Sequence, residues 1–334
     1  MKVGLLQFFG WRDRSVPLED VYARALERIG IMDETGYDAV WLAEHHFSGY
    51  SVCPSVHVMG THVAARTRRL RIGTAVTLAA FQHPLRIAEE VALLDILSGG
   101  RVNWGAGRGF DPTEFSVFGV PQDESTARFR EAVEIVLAAW SNDRLDFEGE
   151  FHRYEGVEVL PKPRQKPHPP TWVAASSLGA IEWAAERGHS ILMDPHSTHA
   201  EIARKLDHYH SGLERWGHDD RPRPIPMARL VAVAETDAAA AAIAERGARW
   251  TAGYIPKQAL AGFRSEASDD TEDGTPDHVD HYMDDVIIHG SPERVVDILQ
   301  RLEEEIPLDY LLLSPLSEKT FSLFTDRVLP RLIS

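Results

Sequence analysis

Glu44-His45-His46-Phe47 sets a carboxylate and two imidazoles in succession, directly behind the apolar run Ala39–Leu42. Histidine gains and loses a proton near neutral pH, so general acid/base work is the chemistry this set can do. Metal binding is the weaker reading. Neighbouring residues at a strand end point to opposite sides, so adjacent histidines rarely share one ion. No H-x-x-x-H pair backs a zinc shell, and the one cysteine, Cys53, has no second thiol in the chain and reads as a bystander. His278 and His281 stand among acids and would hold a cation only weakly. No metal site is expected.

Two further runs suit a phosphate-bearing ligand. In Gly105-Ala106-Gly107-Arg108-Gly109 the third glycine stands two places after the second, not the three of the dinucleotide fingerprint. The glycines would let a planar ligand approach the backbone closely, and Arg108 offers a fork of donors to a phosphate. Ser176-Ser177-Leu178-Gly179 leads into a helix over Ala180–Arg187. A helix N-terminus with hydroxyls is an anion site, although serine before a helix is also a plain N-cap.

The elements that must position these residues alternate along the whole chain. Apolar runs predict strands at Val3–Leu6, Ala39–Leu42, Ile72–Leu78, Val102–Ala106, Thr171–Ala174, Ile191–Met193, Met227–Ala234 and Tyr310–Leu313. Helical periodicity follows each, for example over 19–36, 85–97, 124–140, 198–215 and 237–249. Ser291-Pro292 opens another helix that runs to about Glu305. Eight strands interleaved with helices predict a parallel α/β fold, a (β/α)8 TIM barrel, with an open doubly wound sheet as the alternative. A barrel carries its site at the carboxyl ends of its strands, where Glu44, Gln82, His83, Arg108 and Ser176 fall. Residues 141–170, rich in proline, read as an excursion between strands. Residues 256–289 read as a mobile lid, since Glu266 to Asp285 holds nine acids and no lysine or arginine.

The chain has 334 residues, 35 basic and 51 acidic, for a formal net charge of 35 − 51 = −16. That balance argues against nucleic acid and against an anionic membrane surface. One cysteine, no signal-peptide pattern and no apolar run of membrane-spanning length point to a soluble cytoplasmic protein.

Taken in order, Glu44-His45-His46-Phe47, Gly73-Thr74-Ala75-Val76, His83-Pro84, Leu93-Leu94-Asp95 and Gly99-Gly100-Arg101 resemble the bacterial luciferase-like, flavin-dependent monooxygenases. So do Arg108-Gly109, Phe115-x-Val117-Phe118-Gly119, and Ser177 followed by Glu182-Trp183-Ala184-Ala185. The resemblance runs from residue 1 to about 330 and implies a single TIM-barrel domain over 1–334, usually in a homodimer. It implies a two-component enzyme. A separate NAD(P)H-dependent flavin reductase supplies reduced FMN, which reacts with O2 to a C4a-(hydro)peroxyflavin, and one oxygen atom enters a small organic substrate.

Carried over by residue, the resemblance makes His45 the catalytic histidine, with His46 and Glu44 beside it. It places Arg108, Arg128 and Ser177 on the FMN phosphate, Glu114 near the flavin, and a non-proline cis peptide at Ala75-Val76 beside the ring. Trp250 matches a tryptophan near the isoalloxazine, and 256–289 matches the family's lid. Three positions depart. Gly107 stands where luciferase has a cysteine that influences the life of the oxygenated flavin, Ser176 replaces a glutamate and Ala180 a threonine. These departures favour a monooxygenase of another substrate over a light producer. Apart from Arg12 and Arg14 no extra basic cluster suggests an anionic substrate, so an apolar one leads. Two other functions stay open: an F420-dependent hydride-transfer dehydrogenase of the same superfamily, and a non-catalytic flavin-binding protein.

Overall fold

The computed structural model describes residues 1–220, 222–254, 278–306 and 308–333. In chain order the strands are β1 (Lys2–Gln7), β2 (Ala39–Leu42), β3 (Arg71–Thr74), β4 (Thr77–Leu78), β5 (Val102–Gly107), β6 (Leu145–Glu148), β7 (Arg153–Val157), β8 (Thr171–Ala174), β9 (Ser190–Leu192), β10 (Pro226–Val233), β11 (Ile288–Gly290) and β12 (Tyr310–Pro315). Among the helices are α1 (Leu18–Glu34), α2 (Val56–Arg66), α3 (Pro84–Leu97), α4 (Pro112–Phe118), α5 (Ser125–Ser141), α6 (Leu178–Glu186), α7 (His199–Trp216), α8 (Asp237–Tyr254), α9 (His278–Asp285) and α10 (Pro292–Glu305). Two compact units emerge. One comprises Gln7–Glu34 and Ala39–Ala174; the other comprises Met1–Leu6, Thr35–Asp38 and Ala175–Ser334.

In the first unit β2, β3, β5 and β8 lie side by side in that order, all parallel. β2, Ala-Val-Trp-Leu, reads as an unbroken apolar run because both its faces are covered, and all four of its residues are buried. α5 turns Phe129, Ala132, Val133, Val136 and Trp140 inward at helical spacing. Trp140 donates its indole N–H to Ala88 O at 2.9 Å, which ties α5 to α3. The strand expected over 72–78 is two strands, β3 and β4. They are separated by Ala75-Val76, whose peptide bond is cis. β4 then pairs with β5, Thr77 opposite Ala106 and Leu78 opposite Gly107.

The second unit is also parallel, in the order β11-β10-β12-β1, with β9 touching β10 through a bridge from Met193 to Met227. α7 opens on a capping box, Thr198 and Glu201 each bonding the other's backbone N–H. α10 buries Val295, Val296, Leu299 and Leu302, an apolar stripe at the period of a helix.

The α/β alternation expected from sequence is therefore present in both units, with three revisions. The proline-rich excursion at 141–170 carries an antiparallel hairpin, β6–β7. Helix α4 stands between β5 and α5, where no helix was expected. The stretch 256–289 ends in helix α9 and strand β11: Tyr282 is buried, and its hydroxyl lies 2.9 Å from His196 Nδ1. Val286-Ile287-Ile288 is a buried apolar run hidden in sequence by the acids before it. Residues 256–277 of the expected lid lie outside the described residues. No helix among the described residues is long and apolar enough to cross a membrane.

Candidate active site

The first unit brings Glu44, His45, His46 and Glu114 together. β2 ends at Leu42, and the chain then runs through buried Ala43 and Glu44 before turning. Phe47 closes this turn in the left-handed region, at φ 57°, an uncommon conformation for a bulky side chain. Glu44 is buried but fully used. Its Oε1 accepts from His46 Nε2 at 3.1 Å and from Gln82 Nε2 at 3.0 Å, and the Leu78 N–H lies 3.5 Å from Oε2. An unpaired carboxylate in such a place would be costly, which explains the three donors.

Glu114 comes from α4. Asp111 caps that helix by accepting from Thr113 N–H, Pro112 fits its first turn, and Gly119 ends it at φ 68°. The helix so fixed delivers Glu114 Oε1 to the His46 N–H at 2.9 Å and to within 3.5 Å of His45 Nδ1. Each of the two adjacent imidazoles thus faces its own buried carboxylate. Acceptors at Nε2 of His46 and beside Nδ1 of His45 favour opposite tautomers, leaving Nε2 as the basic atom of His45. Around His45 stand Phe8, Tyr50 and Phe110, with ring centroids at 6.1, 5.0 and 5.9 Å. Burial pushes the Tyr50 hydroxyl up from its ordinary range, so it stays protonated.

Cys53 lies behind this set, its carbonyl accepting from the His45 N–H at 3.3 Å. Burial, then the charge of Glu44, pushes its thiol up to about 12. A raised pKa keeps the nucleophilic form scarce: at pH 8 about one thiol in ten thousand is ionised. Thiol reagents should therefore leave Cys53 unlabelled at pH 8 in the folded protein and label it fully in urea; fast labelling of the native chain would contradict this environment.

Gly107 sits at the end of β5. A Cβ there would overlap Val76 Cγ2 and stand 3.6 Å from Ala174 Cβ. At Gly105 it would overlap the Thr74 carbonyl. The missing side chains at these glycines make room for Val76 and for the Thr74 carbonyl. Gly107→Ala should cost about 1–3 kcal/mol of stability through overpacking. Val76→Ala in the same chain should recover most of that cost, a coupling that a double-mutant cycle in urea would read. Independent, additive losses would contradict the overlap.

Arg108 follows at once. It is half-buried, donates from Nη1 to Ser125 Oγ at 3.0 Å and lies 5.9 Å from the Phe115 ring centroid. No carboxylate pairs with it among the described residues, and burial lowers its pKa. A partly buried cation with no counter-ion is a seat for an anion. Ser125, the partner sequence reasoning missed, is buried in the first turn of α5. Arg128, one turn further, is already engaged: its Nε and Nη2 both donate to Glu124 Oε2, at 2.9 and 2.7 Å, and its guanidinium stacks 4.3 Å from the Phe151 centroid.

The remaining expected residues belong to the second unit. Ser177 caps α6, accepting from Ala180 N–H at 3.3 Å; Ser176 is half-buried before it. Trp250 lies on α8 with its ring 5.1 Å from that of Tyr254. His281 Nε2 lies 2.9 Å from His196 O, and no group of three or more potential metal ligands occurs among the described residues.

The order of these residues along the chain matches one family. Its profile, described as luciferase-like monooxygenase, covers residues 1–307. The chain belongs to that family. Among curated members it is similar to the oxygenase component of the flavin-dependent trigonelline monooxygenase of Acinetobacter baylyi (strain ATCC 33305 / BD413 / ADP1). The two are 31% identical over 228 residues, 67% of this chain and 63% of that one. Matches to the first curated relatives span about half to two-thirds of those relatives' length. The fold is shared with monooxygenase RslO1 from Streptomyces bottropensis, at TM-score 0.77, 28% identity and 99% coverage of both chains. It is also shared with the oxygenating constituent of 3,6-diketocamphane monooxygenase of Pseudomonas putida in complex with FMN, at TM-score 0.80 and 18% identity, over 99% of this chain and 98% of that one. An F420-dependent secondary alcohol dehydrogenase shares it equally, at TM-score 0.78 and 17% identity, over 99% and 98%. The shared fold therefore does not by itself separate an FMN-binding from an F420-dependent protein.

Proposed function

We propose that this luciferase-like chain is the oxygenase component of a two-component monooxygenase. It would use reduced FMN from a separate NAD(P)H-dependent reductase, and O2, to place one oxygen atom in a small apolar substrate. The observation that carries this reading is the pair of buried carboxylates set against two adjacent imidazoles, His46 on Glu44 and His45 beside Glu114. A non-catalytic flavin carrier has no use for such a set. The FMN fit rests on Arg108, whose half-buried charge lacks a counter-ion among the described residues and matches a phosphate. Ser125 would steady Arg108, while Arg128 would exchange Glu124 for the phosphate. The Ala75-Val76 segment and the Gly107 backbone would border the ring, as the family resemblance implies. When bound, the flavin supplies the electrons and the oxygen activation.

The chain's own residues then bind, orient and move a proton. Glu114 holds the imidazole of His45 so that Nε2 is free to take or return a proton. Glu44 fixes His46, and the surrounding aromatic rings keep water scarce near His45. A single closed eight-stranded barrel over the whole chain is the architecture we propose for this site. A homodimer is proposed as well. α2 and α3 pack together yet leave Val58 72% and Leu97 57% exposed, along with Leu93 and Ile96. Light scattering should give twice 37.4 kDa, about 75 kDa.

The function is tested by anaerobic calorimetry with photoreduced FMN and, separately, reduced F420. Preference for reduced FMN, followed by oxygen-dependent product formation with a reductase present, supports the reading. Binding of F420 alone would replace it with hydride transfer.

A further inference from the structure

Beneath the Ala75–Leu78 segment runs a second chain of hydrogen bonds that the proposed chemistry does not use. His57, at the second position of α2, is buried, and both of its ring nitrogens are engaged. Nδ1 lies 3.0 Å from Glu90 Oε2 on α3, and Nε2 lies 3.1 Å from Thr77 Oγ1 on β4. Glu90 Oε1 in turn accepts from Arg86 Nη2 at 2.6 Å. A carboxylate only accepts, so Nδ1 carries the proton and Nε2 accepts from the Thr77 hydroxyl.

Hydroxyl, imidazole and carboxylate in line have the form of a nucleophilic triad. Burial rules out that role here, since Thr77 is 0% exposed and no substrate can reach it. What the chain does control is position. Thr77 stands between Val76, which fills the space beside Gly107, and Leu78, whose N–H faces Glu44 Oε2. Ala75 N–H donates to Leu42 O at 2.7 Å and Ala79 N–H to Gly107 O at 3.0 Å, so the segment's backbone is tied on both sides. The hydroxyl of Thr77 adds a side-chain anchor to α2.

We propose that His57 is a positioning residue, which holds Thr77 on Glu90 and thereby sets Val76 and Leu78 against Gly107 and Glu44. The inference rests on the reading that this segment borders a reduced flavin. Partners of this kind, one step removed from the reacting groups, fix their orientation and are felt in binding and rate.

Four chains test it: wild type, Thr77→Val, His57→Gln and His57→Asn. Valine keeps the shape of threonine and removes only the hydroxyl. The amide of glutamine reaches the place of Nε2, where its oxygen accepts from the Thr77 hydroxyl; that of asparagine reaches the place of Nδ1, where its nitrogen donates to Glu90 and the Thr77 bond is lost. Each is titrated anaerobically with photoreduced FMN by calorimetry, the absorption spectrum of the complex is recorded, and thermal unfolding is measured without flavin. Thr77→Val and His57→Asn should bind about three- to tenfold more weakly, the worth of one hydrogen bond, with an altered flavin spectrum. His57→Gln should match wild type in both. Wild-type binding and spectra in all four chains would overturn the inference and leave the flavin reading standing. So would weakening that follows the loss of thermal stability, with glutamine no better than asparagine. A wild-type chain that does not bind reduced FMN would overturn the flavin reading itself, and this inference with it.

Discussion

His45→Ala should bind reduced FMN within about twofold of wild type and lose about 10²–10⁴-fold in product formation, the usual worth of a positioned acid/base. The separation of the two effects follows from where His45 stands. Its contacts are Glu114 and the rings of Phe8, Tyr50 and Phe110, whereas the cation assigned to the phosphate is Arg108. Glu114→Gln should give a smaller loss, because an amide still accepts from the His46 N–H but no longer stabilises an imidazolium at His45. Steady-state turnover with the reductase, set beside anaerobic binding, checks both. Equal turnover in His45→Ala and wild type would remove His45 from the chemistry.

Arg108→Gln should weaken reduced FMN by about 10–100-fold, the range of a charge-assisted hydrogen bond, and leave reduced riboflavin nearly unchanged. Riboflavin is FMN without its phosphate, so the comparison isolates the one interaction assigned to the guanidinium. Ser125→Ala should fall between, since it removes the hydroxyl that fixes Arg108 without removing the charge. Arg128→Gln should cost less than Arg108→Gln, because Arg128 must first release Glu124. Equal losses for FMN and riboflavin would place the phosphate elsewhere.

Much of this was legible in the residues. Ala39–Leu42 announces a buried parallel strand by its unbroken apolar run and Val102–Ala106 by a run that only Asn103 interrupts, and Glu44 and Arg108 follow from standing just past their ends. The helix over 124–140 is present as Ser125–Ser141, since its stripe of Phe129, Val133, Val136 and Trp140 has the period of a helix. Partnerships were less visible. Glu114 meets the His46 N–H across 68 residues, and Gln82 meets Glu44 across 38, separations that no local pattern encodes. The seven-residue helix that carries Glu114 is too short for a periodic signal, although Asp111-Pro112 and Gly119 are its start and stop residues. The need for glycine at 105 and 107 also has a packing cause that no local pattern encodes: the atoms that occupy the place of the missing side chains come from Thr74 and Val76. At Ser177 the plain N-cap is what the structure shows. The buried end of the acidic stretch, Val286-Ile287-Ile288, escaped notice because charge dominated the window around it.

The central claim is that a reduced-flavin site is assembled around Arg108, Glu114 and the Ala75-Val76 segment. The measurement that tests it most directly is a crystal structure of the chain soaked anaerobically with reduced FMN. We expect the phosphate within hydrogen-bond reach of the Arg108 guanidinium, and the ring beside Ala75-Val76 with His45 facing it. Flavin density at another place, or none at saturating FMN while F420 occupies this one, would contradict the account.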